Sequence, residues 1–461
     1  MATKIYELNI DRGDIGRELK GFGASSAWWS QDIDSGSMRE KLAKALFSAE
    51  GLNLGIYRYN IGSGEKESPA RRVYTNRASE SFYLFDEFSG KWYYDFSRDK
   101  NARAFLAEAL KGSVKDVVMF ATSPHYSMTV SGSAAGHPVK HTLNLRKDAF
   151  YEFSEFLVEV TRHFMAEGVP VSFLSPLNEP QWNWGGEYVS QEGCHFEPED
   201  VARLLDILGD KALKDGIKLS MFESGSIRPR QTKKYIEAMK KSVYFDTLDH
   251  IAVHSYWADG NIRVRKKYRK YLEKTCPGKE IHMTEWCELP CRHRPDDIEG
   301  AVIASRTISD DLNFLGASAW TAWKGFEALP ENIFDADENK TDALVYAREG
   351  SEELYFAKRY YALKHYSAFW ERGSRLIRAY VGQGAKELSG KNRFPVTAYT
   401  TPSGRTAAVV TNVSATEMPL YIGKEEWSEA YLTDEKNDFI SVPVAETVTL
   451  PPKSILSLIA R

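Results

Sequence analysis

The sequence has little of what defines several large protein classes. Four cysteines in 461 residues are too few for a disulfide-stapled secreted scaffold. The 60 lysines and arginines are outnumbered by 64 aspartates and glutamates, and a net charge of −4 leaves no basic excess for nucleic-acid phosphates. No apolar run is long enough to cross a bilayer. We therefore expect neither a nucleic-acid partner nor a membrane partner, and the sequence leaves the oligomeric state open.

Several catalytic and targeting motifs are also missing. The chain has no G-x-S-x-G elbow, no Walker loop and no H-E-x-x-H pair, which removes the main support for serine hydrolase, nucleotide hydrolase and zinc protease functions. The spacing of Cys287, Cys291 and His293 is not a standard zinc pattern, so we predict no metal and no organic cofactor. A disulfide between Cys287 and Cys291 stays open for an oxidising environment. The start MATKIYELNIDRGD lacks a signal-peptide core and predicts a cytoplasmic protein, although a secreted protein whose leader was removed would look the same.

Between Gly21 and Trp370, short β-rich apolar runs alternate with longer segments of helical period, as in βα units around a parallel sheet. The runs are GFGASSAWW, LGIYRYNIG, DVVMFATSPH, VSFLSPLNEP, KLSMFESGS, HIAVHSYW, EIHMTEWC and GASAWTAW. Segments such as PEDVARLLDILGDKALKDG lie between them and close on a glycine, as a helix C-cap does. Eight repeats predict an α/β fold, a (β/α)8 TIM barrel over residues 21–370.

The chain after Trp370 has a different pattern. Short alternating runs such as FPVTAYTT, RTAAVVTNV and SILSLIA are separated by glycine, proline, asparagine and serine. This spacing predicts a β-sandwich domain over residues 371–461. We expect the run KIYELNI, within residues 1–20, to cross over and pair with this sandwich, so that the barrel carries a side-associated β-domain built from both chain ends.

Two glutamates follow apolar runs at positions where a barrel places reactive groups. Glu179 ends the fourth run and Glu285 the seventh, and catalytic residues of such barrels lie at the carboxyl ends of the strands. Across the mouth, two glutamates can act as acid and nucleophile on a glycosidic bond, which in retaining enzymes needs a separation of about 5–5.5 Å. Either glutamate alone could be a solvated loop residue, since exposed glutamate is common. Their equivalent placement favours the functional interpretation.

Aromatic residues are abundant, at 13% of the chain, and tryptophan and tyrosine offer flat faces with polar edges that suit sugar rings. Tryptophans at or just beyond strand ends are Trp28, Trp29, Trp182, Trp184, Trp257, Trp320 and Trp323. We favour Trp29, Trp320 and Trp323 as a stacking platform. Packing of the barrel rim is the alternative role.

The chain resembles glycoside hydrolase family 30, a family of retaining β-glycosidases in clan A. The resemblance lies in the barrel-plus-sandwich layout and in GFGASSAWW, YRYNIGSG, SPHYSMTVSG, LSPLNEPQW, HSYW and MTEW. The first and third of these strings look most like the endo-β-1,6-galactanase branch. The resemblance implies that Glu179 is the general acid/base and Glu285 the nucleophile of a glycosidase that needs no cofactor.

Further strand-end residues are substrate-binding candidates. Arg58 and Tyr256 could supply donors that keep Glu285 ionised, and Asn178 could hydrogen-bond the sugar 2-hydroxyl. The match to the family favours a site role for His254, which on an apolar strand would otherwise be a satisfied core group. Glu223, at the end of the fifth run, could contact substrate hydroxyls, tune Glu285 or form a salt bridge.

The sequence thus predicts a retaining glycoside hydrolase that cleaves β-1,6-galactan or its oligosaccharides by double displacement. Another family 30 β-glycosidase, such as a β-glucosidase, β-fucosidase or xylanase, is the alternative substrate assignment. A non-catalytic carbohydrate-binding protein is the alternative of a different class. The aromatic-rich insertion between Lys66 and Arg98 could wall off one end of the cleft, and endo or exo action is left open.

Overall fold

The architecture follows the predicted order of a barrel and then a strand-rich domain. It is described here by a computed structural model covering residues 5–73, 76–186, 189–384, 386–388, 390, 393–423 and 427–461. The strands are β1 (Tyr6–Glu18), β2 (Gly21–Ser25), β3 (Ile56–Asn60), β4 (Tyr83–Asp86), β5 (Lys91–Tyr94), β6 (Asp116–Phe120), β7 (Val171–Ser175), β8 (Met221–Ser224), β9 (His250–His254), β10 (Glu280–Trp286), β11 (Ala317–Ala322), β12 (Phe326–Leu329), β13 (Val345–Arg348), β14 (Tyr355–Phe356), β15 (Arg375–Gln383), β16 (Lys386–Glu387), β17 (Val396–Thr400), β18 (Thr406–Asn412), β19 (Met418–Tyr421), β20 (Glu429–Thr433), β21 (Ile440–Ser441), β22 (Thr447–Leu450) and β23 (Ser454–Ala460). The α-helices are α1 (Gly36–Phe47), α2 (Lys100–Ala109), α3 (Phe150–Ala166), α4 (Pro198–Lys214), α5 (Pro229–Met239), α6 (Ile262–Thr275), α7 (Ile298–Asp310), α8 (Glu331–Phe334) and α9 (Lys358–Ser367).

Eight parallel strands form the predicted (β/α)8 barrel, one from each of the eight apolar runs. Their order around the sheet is β7-β6-β3-β2-β11-β10-β9-β8. The two end strands meet through a parallel bridge between Leu174 and Leu219, which closes the ring. Because all eight strands run in one direction, their carboxyl ends share one mouth.

Helix α4 begins and ends where the sequence signals predict. In α4, Pro198 opens the first turn, and Asp200 accepts a hydrogen bond from the backbone N–H of Glu197 at 3.2 Å. Gly216 follows the helix with a φ of 69°, in the left-handed region where glycine carries no steric penalty. None of the helices among the described residues is both long and apolar enough to span a membrane.

A ten-stranded sheet forms the second domain and includes both ends of the described chain. β1 pairs antiparallel with β15 and parallel with β19, and residues 1–4 lie outside the described residues. Successive side chains of β23 point to opposite faces of the sheet. Ile455 and Ile459 pack with the barrel cluster, whereas Leu456 and Leu458 pack within the sheet domain. This second domain is therefore joined to the barrel through a buried apolar face.

Two small sheets were not predicted. β4 and β5 form a hairpin within the insertion between Lys66 and Arg98, of which residues 74 and 75 lie outside the described part. β12, β13 and β14 form a three-stranded sheet after the last barrel strand. All four cysteines are free thiols, and the Sγ of Cys291 contacts Arg359 at 3.4 Å.

Candidate active site

Three glutamates lie at the carboxyl ends of the barrel strands. Glu179 follows β7 by four residues, Glu223 lies in β8 and Glu285 lies in β10. Glu179 and Glu223 have positive φ values of 47° and 56°, and the backbone N–H of Glu179 donates to the carbonyl of Glu223 at 2.9 Å. Left-handed backbone is costly for glutamate and is often found at functional sites, where the surroundings enforce it.

Arg58, the third of the five residues of β3, joins several of the predicted site residues. Its Nη1 donates to an oxygen of Glu285 at 2.5 Å, and its Nη2 donates to the Oδ1 of Asn178 at 3.2 Å. Nη2 also lies 3.6 Å from a carboxylate oxygen of Glu223. The guanidinium packs 3.8 Å above the ring of Phe120 and is only 1% exposed, so its charge acts in a poorly solvated environment.

Glu285 accepts from a second direction through Tyr256. The phenol Oη of Tyr256 donates to the Oε1 of Glu285 at 3.1 Å, while Arg58 holds the Oε2. The Nδ1 of His254 lies 3.7 Å from the same Oε1. Both carboxylate oxygens of Glu285 therefore face donors.

His254 bridges the other two glutamates. Its Nδ1 lies 2.9 Å from Glu179 and its Nε2 lies 3.1 Å from Glu223. Burial lowers the pKa of His254, but Glu285, Glu179 and Glu223 raise it to about 9. At neutral pH both ring nitrogens then carry protons and donate to carboxylates. His254 is therefore a buried cation, as Arg58 is.

Glu223 is enclosed by donors rather than facing the open mouth. Ser175 donates to its Oε1 at 2.8 Å, and Thr284 donates to its Oε2, which also faces His254. Burial acts to raise the pKa of Glu223, but the charge of Arg58 and the bond from His254 lower it to about 2. The side chain is 0% exposed. Glu223 is thus held between the two cations Arg58 and His254, and its predicted contact with substrate hydroxyls stays a prediction.

Glu179 has the opposite electrostatic environment. Burial and the nearby charge of Glu285 raise its pKa, against the lowering effect of His254 and of a hydrogen bond from Trp182. One carboxylate oxygen of Glu179, one of Glu285 and a ring nitrogen of His254 all lie within 4.8 Å of one another. The site thus pairs a carboxyl group that tends to keep its proton with a carboxylate that is supplied with donors.

The same three side chains could in principle hold a cation, since each offers one ligand atom to a common centre. The protonation of His254 argues against this role, because an imidazolium with both nitrogens hydrogen-bonded has no lone pair for a metal. The residues present therefore fit acid–base chemistry better than metal ligation, and the absence of a metal stays a prediction.

The three favoured tryptophans lie in different environments. Trp29 packs edge-on against Phe105 and Phe326, and its indole N–H donates to the carbonyl of Ser25 at 3.0 Å. The indole N–H of Trp320 donates to the buried Asp311 at 3.1 Å, and the ring is 2% exposed.

Trp323 lies edge-on to Trp28, with 5.5 Å between the ring centroids. Both rings, together with Trp29, line a cavity of about 70 Å³ beside Arg77 and Lys324. Trp320 does not line this cavity, and a sugar-stacking role for the three tryptophans stays a prediction.

Three supporting residues were missed by sequence reasoning. Thr284 immediately precedes Glu285 and binds Glu223. Asp311 accepts from Trp320 and, at 2.8 Å, from Ser255. Their signal in the sequence is weak, because a polar residue inside a strand run or near a helix end has many ordinary roles.

Comparisons with known proteins show the family and the fold of the chain. A family model described as O-glycosyl hydrolase family 30 matches residues 5–346. The chain is 23% identical over 357 residues to an endo-β-1,6-galactanase of Hypocrea rufa, covering 72% of this chain and 69% of that protein. It is 22% identical to an exo-β-1,6-galactobiohydrolase of Bifidobacterium longum subsp. longum, over 44% of this chain and 15% of that protein. The crystal structure of a conserved exported protein from Bacteroides fragilis superposes with a TM-score of 0.83 at 22% identity, covering 98% of this chain and 100% of that chain.

Proposed function

The chain belongs to O-glycosyl hydrolase family 30, and from that premise we propose that it cleaves β-1,6-linked galactan or its oligosaccharides with retention of anomeric configuration. The family membership makes the protein a glycosidase and confirms the predicted resemblance. The substrate is supported by the names of two relatives, one an endo-β-1,6-galactanase and the other an exo-β-1,6-galactobiohydrolase. Another β-glycoside, such as a glucoside, fucoside or xylan, is the alternative within the family.

The spacing of Glu179 and Glu285 is the observation that supports retention. One oxygen of Glu179 and one of Glu285 lie within 4.8 Å of each other, a short approach that favours the roughly 5–5.5 Å carboxyl separation of retaining enzymes over the roughly 6.5–9.5 Å of inverting ones. The shorter separation leaves no room for a water molecule between the sugar and the second carboxylate. That carboxylate must then attack the sugar itself.

The reaction proceeds in two displacements. In the first, an oxygen of Glu285 bonds to the anomeric carbon, the glycosidic carbon–oxygen bond breaks, and Glu179 gives its proton to the leaving oxygen. In the second, Glu179 takes a proton from water, the water oxygen bonds to the anomeric carbon, and the ester bond to Glu285 breaks. Glu179 ends protonated and Glu285 ionised, as at the start.

Asn178 is placed to contribute to substrate binding. Its Oδ1 accepts from Arg58 at 3.2 Å, and its amide nitrogen bonds to none of the described residues. Accepting from Arg58 fixes which end of the amide is the donor. The free N–H groups suit the sugar 2-hydroxyl, an interaction that strengthens in the transition state.

The substrate assignment is tested by product analysis. The purified protein is incubated with β-1,6-galacto-oligosaccharides and, in parallel, with aryl β-glucoside, β-fucoside and β-xyloside. Release of galactose or galactobiose from the oligosaccharides supports the proposal, and the product ladder over time distinguishes end-wise from internal cleavage. Cleavage confined to one of the aryl glycosides would keep the family and overturn the substrate.

The roles of the two glutamates are tested by substitution. Glu285→Ala should abolish turnover, and azide should restore cleavage of a substrate with a good leaving group and form the α-glycosyl azide, because a single displacement from the face that the carboxylate left inverts the β configuration. Glu179→Ala should slow substrates with poor leaving groups most, since an activated aryl group scarcely needs the proton. Glu237→Ala, on the exposed face of α5, is the matched control and should retain activity. Full hydrolysis by Glu285→Ala without azide would refute the assigned nucleophile.

A further inference from the structure

Cys287 contacts the tyrosine that binds Glu285. It lies two residues after Glu285 along the chain and is 5% exposed. Its Sγ is 3.7 Å from the phenol oxygen of Tyr256, and that phenol donates to the Oε1 of Glu285 at 3.1 Å. A thiol thus lies directly behind the donor of the proposed nucleophile.

The thiol is buried beside charged groups. Burial and the charge of Asp342 raise the pKa of the Cys287 thiol well above its ordinary value, so the S–H group persists across the working pH range. The carboxylate of Asp342 lies 3.6 Å from the ammonium group of Lys324. Burial acts to raise the pKa of Asp342, but Lys324 and two arginines lower it on balance.

Tyr256 therefore has one hydroxyl proton and two neighbours that could accept it. One is the charged carboxylate of Glu285 and the other is the sulfur of Cys287. Sulfur is a weak acceptor, whereas a bond from a neutral donor to a charged oxygen is strong. The proton is accordingly given to Glu285 as long as the atom behind the phenol is a sulfur atom.

We propose that Cys287 is a positioning residue for the glycosidase reaction. It packs behind Tyr256 with an atom that competes poorly for the phenol proton, so that Tyr256 donates to Glu285. This inference rests on the proposed role of Glu285 as nucleophile. It predicts that a better acceptor at position 287 weakens the support of Glu285.

Serine supplies that better acceptor with almost the same shape. Cys287→Ser should move the acidic limb of the pH profile of kcat/KM to higher pH by about half a unit to one unit, because Glu285 loses part of one hydrogen bond to its charged form. Cys287→Ala removes the competitor and should leave the limb within about 0.2 units of wild type. The other groups facing Glu285 are Arg58, His254 and Glu179, and none of them is altered in these variants.

Cys291→Ser is the matched control. It makes the same atomic change four residues along the same loop, where the sulfur contacts Arg359 and the carbonyl of Thr341. Its acidic limb should coincide with that of wild type. Thermal unfolding of each variant checks that it is folded under the assay conditions.

The double variant that combines Cys287→Ser with Tyr256→Phe distinguishes competition for the phenol proton from a general disturbance of the site. Tyr256→Phe alone should shift the acidic limb upward by about one unit, and adding Cys287→Ser should produce no further shift, because no phenol proton is left to compete for. An equal shift from Cys287→Ser with and without the phenol would overturn the proposal. An upward shift of the acidic limb in Cys287→Ala as large as that in Tyr256→Phe would also overturn the proposal. The alanine variant thus provides a test even if the serine variant fails to fold.

The same measurements distinguish failure of the underlying function. If Tyr256→Phe does not move the acidic limb, the limb does not report the ionisation of Glu285, and the proposed role of Glu285 as nucleophile is refuted. If Tyr256→Phe moves the acidic limb and Cys287→Ser does not, only the proposed role of Cys287 is refuted.

Discussion

Replacing Arg58 tests the electrostatic basis of the site most directly. Arg58 donates to Glu285 at 2.5 Å and lies 3.6 Å from Glu223, with only 1% of its surface exposed. Arg58→Met removes the charge and keeps much of the volume. A hydrogen bond to a charged group contributes about 1.5–3 kcal/mol, and one pH unit corresponds to about 1.36 kcal/mol. Because the lost interaction favours the ionised form of Glu285, the acidic limb of kcat/KM should rise by about one to two pH units.

Arg58→Lys separates charge from geometry. Lysine keeps a positive charge near Glu285 but cannot also bind Asn178 through a second nitrogen of a planar fork. We expect its acidic limb within about half a unit of wild type, together with a lower kcat/KM at the pH optimum in both variants. The assay is the pH dependence of kcat/KM on a soluble aryl glycoside, with thermal unfolding as the check on folding. An unchanged acidic limb in a folded Arg58→Met variant would refute the reasoning.

Three further substitutions probe the surroundings of the site and the interface between the domains. A Cβ on Gly225 would lie 2.6 Å from an oxygen of Glu179, so Gly225→Ala should reduce kcat/KM by about 10- to 100-fold through misplacement of the acid, and an unchanged value would contradict this contact. Asp311→Asn breaks the fully buried ion pair with Arg265 and weakens the hydrogen bond from Trp320. This change should lower the free energy of unfolding, measured by urea titration, by about 3–5 kcal/mol, whereas a decrease below about 1 kcal/mol would show that the pair is dispensable. Burial and a nearby lysine lower the pKa of His365 to about 3. As the pH falls below 6.5, the unfolded chain therefore takes up a proton that the folded chain does not, and the free energy of unfolding decreases by about 2 kcal/mol at pH 5. His365→Gln should remove that loss between pH 7 and pH 5, and parallel declines of the two proteins would disprove it.

The barrel was predictable because its signals are local and repeated. Each barrel strand falls within a short apolar run, and α4 begins at the predicted Pro198 and ends before the predicted Gly216. Strand ends in a closed parallel barrel converge, so the approximate positions of Glu179 and Glu285 followed from chain order alone. The hairpin β4–β5 and the small sheet β12–β14 were missed because they lie in long connections, where short strands carry too little periodicity to distinguish them from loops.

Side-chain direction was the part that the sequence analysis did not use. Ala319 and Thr321 of β11 line a cavity inside the barrel, and Trp320 between them must point the other way, towards Asp311. Applying the period of two to β11 would have placed Trp320 outside the barrel interior. Trp29 lies beyond its strand in a 3-10 turn, where no simple period applies, and it packs against Phe105.

The charge balance of the site leads to a last prediction, about Glu223. The cluster contains three carboxyl groups and two buried cations, Arg58 and His254. It is neutral only while one carboxyl group keeps a proton. The pKa of Glu223 is about 2 and that of Glu179 is raised, so the proton belongs on Glu179. In this view the negative charge of Glu223 is what allows Glu179 to be an acid beside two cations.

Glu223→Gln removes that charge with little change in volume. The cluster is then neutral with Glu179 ionised, and His254 loses an acceptor. The carboxyl proton of Glu179 and the ring proton of His254 should therefore both dissociate at lower pH than in the wild type. The alkaline limb of kcat/KM for a substrate with a poor leaving group should therefore move down by about one pH unit or more, since unit charges about 4 Å apart interact by roughly 4 kcal/mol at an effective dielectric constant of 20. Glu280→Gln, at the opposite end of β10, changes the same functional group far from the mouth and should leave the limb in place. An alkaline limb that stays fixed or rises in folded Glu223→Gln would show that Glu223 does not hold the proton on Glu179.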